Sequence, residues 1–270
     1  MSSENTATSS KSLLIPVLAA FVAVLATVGC SSKPDSEPAA ELLLYCGAGI
    51  RPPVEQLADA FAAEHPVKVI LDFAGSEVLL SRIRLSGRGD LYMPGDAHYV
   101  DLAENAGFVL SRRSVAYWVP VILVRKGNPK AIRSLRDLLK DDVRVGLGDP
   151  NACAIGRTAQ QLLEKSGIAW ADVEKNLKFK SMTVNELGLQ IQARSLDAVI
   201  VWDALARYYE ACGDMIAIDP EDNIISPIDV AVLSFTRKKD LAERFAAFLT
   251  SDKAREVFAG HHYHTDKPLD

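Results

Sequence analysis

From Leu42 onward the chain alternates short apolar runs with helical periods, and this alternation constrains the fold more than any other feature. LLLYC (42–46) is continuously apolar, as a strand buried on both faces requires. GAGIRPP follows it. From Pro52 onward Val54, Leu57, Ala58 and Phe61 fall on one helical face, with prolines where a first turn tolerates them. Pro66 ends that helix, and VKVILDF (67–73) reads as a second strand. AGSE (74–77) opens a helix carrying Leu79, Leu80 and Ile83. DLYMPGD (90–96) gives a third strand and a turn, before a short helix over 99–106. Such spacing predicts an α/β fold with mostly parallel sheets.

After Val115 the pattern changes. WVPVILVRKGNP (118–129) reads as one long apolar strand closed by a turn. A second alternation follows: a helix near 135–139, strand VRVGLGD, a helix over 158–165, strand KFKSMTV, a helix over 186–193, strand LDAVIVWD and a helix over 204–211. Strand DVAVLSFT (229–236) and helices over 241–249 and 253–259 complete the chain. The expectation is two α/β units, with crossings near 118–125 and 226–235. The first lobe would take 41–118 plus 226–270 and the second 119–225. Pro120 and Ser226-Pro227 are candidate hinge positions. Phe61, Leu79, Ile83, Val199 and Ile200 belong to the core, and Tyr208-Tyr209 reads as packing.

The N-terminal segment has a different character. A weakly charged stretch precedes an apolar run from Leu13 to Gly29, and Cys30 follows at once. That is the form of a secretory signal peptide over 1–29. ATVGC resembles the lipobox of bacterial lipoproteins, in which the cysteine is lipidated; Val28 and Gly29 fit, while Thr27 departs from the usual Leu, Val or Ile. The resemblance implies lipidation at Cys30, a tether over 30–40, and a domain outside the cytoplasm held to the membrane. The alternative is an uncleaved signal anchor, with the same placement.

The net charge is −5 and no polybasic run occurs, which argues against nucleic acid. Besides Cys30 there are Cys46, Cys153 and Cys212, an odd number, so at most one pair can form. Cys46 and Cys153 both fall in loops at strand ends, and free thiols are expected there.

Those loops carry the chemistry. CGAGI (46–50), FAGSE (73–77) and GDPNACAIG (148–156) each follow a strand, precede a helix and consist largely of small residues. Loops at the carboxyl ends of such strands line one crevice. Their backbone N–H groups are uncovered, and helix starts add a partial positive charge. Together they can hold an anion without Lys or Arg. A P-loop would need Gly-Lys-Ser/Thr, and GAGIRP has Arg51-Pro52 where a dinucleotide fingerprint should continue. Cys153 as a nucleophile would need a histidine in reach, and His65, His98, His261, His262 and His264 all lie outside these loops. HHYH (261–264) reads as a surface or strand-end cluster with no acidic partner nearby, and metal-ligand spacing is absent elsewhere.

FAGSEVLLSRI, RGDLYMPGDAHYVD and GDPNACAIGR, taken in order, resemble the bacterial molybdate-binding proteins, the substrate-binding components of molybdenum ABC transporters. The resemblance implies a two-lobe periplasmic binding protein fold with crossing hinge strands, which closes on an oxyanion, molybdate or tungstate. It implies no enzyme activity and no cofactor, a monomer, and an ABC permease as partner. The ligand shell carries over to Gly49, Ser76, Ile155, Val184 and Trp202. Ser76 is retained. Gly49 stands where the family has serine, and Trp202 where it has tyrosine. Ile155 and Val184 would act through backbone N–H. Asp203 is the one nearby acceptor for a protonated anion, and Arg51 and Arg157 flank two of the loops. Other readings remain: a different anion such as sulfate, phosphate or an organic anion, a sensor input, or a secreted enzyme using Cys153.

Overall fold

The computed structural model describes residues 40–268, so the expected signal peptide, the expected lipidation at Cys30 and the expected tether lie outside or largely outside the described residues. The first unit starts with β1 (Ala40–Gly47), a 3-10 turn (Ala48–Ile50) and α1 (Arg51–Glu64). Val54, Leu57, Ala58 and Phe61 are the buried face of α1, as the periodicity predicts. Phe61 packs against Phe245 and Phe248, with ring centroids 4.8 and 5.3 Å away. β2 (Val67–Ala74), α2 (Ser76–Ser86), β3 (Leu91–Met93) and α3 (Ala97–Asn105) follow. Gly87, in the left-handed region at φ 56°, stops α2, a conformation glycine adopts without strain.

The apolar segment beginning at Trp118 is not one strand. β4 (Val109–Trp118) ends on the tryptophan, and β5 (Pro120–Arg125) begins two residues later in a different sheet. The break is at Val119: its N–H donates to Asp203 Oδ1 (3.0 Å) and its carbonyl accepts from Asp203 N–H (2.8 Å). Periodicity cannot show such a switch, because apolar character continues across it. Most of β4 itself escapes a hydrophobicity reading. It is an edge strand carrying Arg112 and Arg113, and Arg112 is neutralised by Asp229, Asp101 and Glu104.

The second unit continues through a 3-10 turn (Leu135–Leu139), β6 (Val145–Gly148), α4 (Ala154–Lys165), α5 (Trp170–Glu174), β7 (Leu177–Ser181) and α6 (Val184–Gln192). It ends with β8 (Ala198–Trp202), the short α7 (Asp203–Arg207) and β9 (Gly213–Ala217). β10 (Ser226–Leu233) returns to the first sheet, and α8 (Lys239–Phe248) and α9 (Asp252–Gly260) close the chain. Sheet order is β2-β1-β3-β10-β4 in one lobe and β7-β6-β8-β5-β9 in the other.

The α/β class and the two-lobe arrangement hold. Each sheet is mixed: four strands run in one direction, and the strand that crosses from the other lobe runs opposite, pairing antiparallel with both its neighbours. A chain that passes twice between the sheets reverses direction at each entry. The core is continuous and apolar through both sheets. Asp197, buried at the start of β8, is met by Arg144 (2.9 Å) and Arg125 (3.2 Å), which tie β8 to its neighbours.

Candidate ligand-binding cleft

The helices that follow β1, β2, β6, β7 and β8 start at the seam between the lobes. Gly49 lies in the turn leading into α1, and Ser76 is the first residue of α2. Ile155 is the second residue of α4, Val184 the first of α6, and Trp202 the residue capping α7. These positions are far apart in sequence, yet all five line one cavity. It is a small cavity, of about 20 Å³. The first N–H groups of each helix lack intrahelical partners, and the dipoles of α2, α4 and α6 add positive potential.

GDPNACAIGR is wound around Asp149. Its carbonyl accepts from Ala152 N–H (3.0 Å) and Cys153 N–H (3.1 Å), and its Oδ1 accepts from Asn151 N–H (2.9 Å). This places the helix start at Ala154, earlier than the predicted residue 158. Gly156 and Arg157 N–H both turn back to the Cys153 carbonyl (3.1 and 3.3 Å). A β-carbon on Gly156 would sit 2.5 Å from the Asp149 carbonyl, so the tightness of this turn requires glycine.

Across the seam, Gly75 brings the lobes into direct contact. A β-carbon there would stand 2.5 Å from both the Ala152 and the Met182 carbonyl oxygens. Glu77 N–H donates to the same Ala152 oxygen (3.2 Å). Further out, Asp96 after β3 accepts from Arg157 (3.3 Å), from the Thr158 hydroxyl (3.5 Å) and from the Ser226 hydroxyl (3.3 Å).

Among the described residues no charged side chain lines the cavity. Arg51 pairs with Glu55 (3.1 Å) and lies over the Phe73 ring at 4.0 Å, while Arg157 is committed to Asp96. Asp203 does not serve as an acceptor in the cleft. Its Oδ1 accepts from Val119 and Ala204 N–H, and its Oδ2 meets His264 Nε2 at 2.6 Å. HHYH therefore does have an acidic partner, which sequence separation conceals. His261 joins Tyr208 Oη (2.7 Å) to Gln56 Oε1 (3.0 Å), linking α7's end to α1. Among the described residues no group of three His, Cys, Asp or Glu side chains could hold a metal ion.

The side-chain donors in the cavity are few. Ser76 Oγ accepts from Gly95 N–H (3.1 Å), which leaves its hydrogen free to donate. Trp202 lines the cavity, and its indole N–H makes no hydrogen bond among the described residues, so this donor is unclaimed. The Cys153 thiol points to the Asp149 and Ser181 carbonyls (3.7 and 3.8 Å), and burial pushes its pKa up to about 12. Among the described residues no histidine lines the cavity to act as a base toward the thiol. Cys46, Cys153 and Cys212 are all free.

Sequence reasoning missed Trp118 and Gly95, which also line the cavity. Trp118 pairs with Ser226 across β10, and Trp202 pairs with Pro120 across β5. Because Pro120 is two residues beyond Trp118, the crossing sets the two indoles together. They stack with centroids 4.5 Å apart and planes 7° apart. The signal was present in WVP, an aromatic residue just before a break in a strand, but its meaning depends on the partner strand.

Comparisons with known proteins bear on the fold and the family. The family described as bacterial extracellular solute-binding protein matches residues 42–264. The chain is 26% identical over 259 residues to the molybdate-binding protein ModA of Mycobacterium bovis, covering 89% of this chain and 93% of that protein. Among solved structures it is similar to the Azotobacter vinelandii periplasmic molybdate-binding protein (TM-score 0.70, 18% identity, 84% of this chain and 100% of that one). It is likewise similar to the sulfate-binding protein SubI of Mycobacterium tuberculosis (TM-score 0.72, 19% identity, 85% and 88%). At these identities the structures establish the two-lobe fold. The relatives are substrate-binding proteins, not enzymes. This chain belongs to the bacterial extracellular solute-binding protein family.

Proposed function

We propose that this protein captures a tetrahedral oxyanion, molybdate or tungstate, between its lobes and delivers it to an ABC permease. In this reading it acts as a monomeric lipoprotein anchored through Cys30 on the outer side of the membrane. Residues 41–118 plus 226–270 form one lobe and 119–225 the other. Gly49, Ser76, Ile155, Val184 and Trp202 form the ligand shell. The observation that carries the reading is the convergence of these five positions on one cavity walled by neutral donors and helix starts.

The chemistry supports a fully deprotonated dianion. Each hydrogen bond to a charged group is worth about 1.5–3 kcal/mol, and backbone donors fixed at helix starts need little ordering. Ser76 and Gly49 belong to one lobe, and Ile155, Val184 and Trp202 to the other. An anion bound by both sets therefore favours the closed state over the open one. A protonated phosphate would bring an O–H into a site where Asp203 is already committed to Val119, Ala204 and His264. The match to a molybdate-binding relative along nearly the whole chain points to the same ligand class.

The test is calorimetry of the mature protein against molybdate, tungstate, sulfate and phosphate. Molybdate and tungstate should bind tightly at one site, and phosphate far more weakly. Failure of the first three to bind would remove the oxyanion reading.

A further inference from the structure

Trp118 is part of the cleft wall, yet no ligand-shell position falls on it. Its indole lies over two glycines. A β-carbon on Gly49 would sit 3.2 Å from Trp118 Cη2, and one on Gly95 would sit 3.2 Å from Cζ2. The indole N–H donates to the Gly95 carbonyl (3.1 Å). One face stacks on Trp202, and Tyr263 packs at 5.6 Å while its hydroxyl donates to the Gly49 carbonyl (2.6 Å). The ring is 1% exposed and held on several sides by these contacts.

Gly49, Gly95 and Ala154 border the indole with almost no side-chain volume, and Val184 Cγ1 is the other close neighbour of Gly49. Trp118 stands close to both glycines, so its ring bounds this side of the cavity. With a small side chain at 118, the space the ring now fills would join the cavity. The same ring braces Trp202, whose N–H is the free indole donor. The pinned N–H of Trp118 cannot compete for the anion.

We propose that Trp118 is a specificity-determining residue that restricts the cleft to unsubstituted inorganic oxyanions. It fills the space that an organic substituent on the anion would need, and it holds Trp202 in place as a donor. This inference rests on the oxyanion reading above. The chemical class excluded is that of phosphorylated organic acids, whose phosphoryl group is tetrahedral and dianionic but carries an arm.

The experiment is calorimetry with molybdate and with phosphoglycolate, at a pH where molybdate and the phosphoryl group of phosphoglycolate are both dianionic, on the mature wild type, Trp118→Phe and Trp118→Ala. Circular dichroism monitors folding. Wild type should bind molybdate and give no heat with phosphoglycolate. Trp118→Phe keeps a ring on Trp202, so it should stay within about threefold for molybdate and still exclude the substituted anion. Trp118→Ala should lose about tenfold for molybdate, the order expected when one charge-assisted hydrogen bond is misplaced, and should gain binding of phosphoglycolate. If Trp118→Ala does not fold, Trp118→Leu replaces it with the same two outcomes. Wild type binding phosphoglycolate as well as molybdate, or a folded small-residue variant that still excludes it, overturns the role of Trp118. A wild type that binds no oxyanion at all instead overturns the reading beneath it.

Discussion

Replacing Gly75 with alanine separates lobe closure from folding. Gly75 caps α2 at φ −65° and ψ 150°, a conformation alanine adopts freely, so the first lobe should tolerate the change. Removing a glycine also restricts the unfolded chain, a stabilisation of about 0.4–1 kcal/mol. The added carbon meets its obstacle only in the other lobe, 2.5 Å from the carbonyls of Ala152 and Met182. Both are backbone atoms and cannot rotate away. To reach even 3.0 Å, the shortest separation real β-carbons show, the lobes must part by at least about 0.5 Å. A hydrogen bond of about 2.9 Å then lengthens past 3.2 Å, where it weakens steeply. Ile155, Val184 and Trp202 all sit across that gap. Weakening two bonds worth about 1.5 kcal/mol each removes about 3 kcal/mol, or roughly a hundredfold in Kd. Calorimetry with molybdate should show that loss, while thermal unfolding of the ligand-free variant stays at or slightly above the wild-type midpoint. A Gly75→Ala protein that binds within about threefold of wild type would refute the closure geometry.

Further expectations concern individual side chains. Ser76→Ala removes a donor and strands the buried Gly95 N–H it accepts; molybdate affinity should fall about tenfold, measured by calorimetry, with stability lowered by about 1–3 kcal/mol. Burial raises the Asp197 pKa, but hydrogen bonds from Arg144 and Arg125 outweigh it and hold the group at about 2, below its ordinary 3.8. Its contribution, about 2 kcal/mol, is therefore complete above pH about 4 and lost as pH falls toward 2. Asp197→Asn should remove it and flatten the acid limb of a denaturation series. A limb as steep as wild type would contradict the assignment. Cys153 should react slowly with iodoacetamide at neutral pH, because burial holds the thiol protonated; rapid labelling of the folded protein would show that the loop opens or that the burial is misjudged.

Much of the fold was legible in the sequence, because strands buried on both faces and helices with one apolar face carry strong local signals. LLLYC and the Val54–Phe61 face of α1 fall where periodicity places them. β4 was hidden because an edge strand with one wet face tolerates arginines when partners such as Asp229 neutralise them. The lobe switch at Val119 was hidden because a change of sheet leaves hydrophobicity unchanged. In the cleft, the loops could be read from their small residues, and the ligand positions from resemblance. Trp118 could not, since its place depends on β10 and β5 setting it against Trp202. Nor could the pairing of Asp203 with His264, which depends on the C-terminal segment returning to the hinge.

The most direct test of the account is a crystal structure of the mature protein grown with tungstate, with the metal located by anomalous scattering. A single strong peak is expected between the lobes, within hydrogen-bonding reach of Ser76 Oγ, the Trp202 indole N–H and the Ile155 and Val184 backbone N–H groups. A peak elsewhere, or a cleft empty at saturating tungstate, would contradict it.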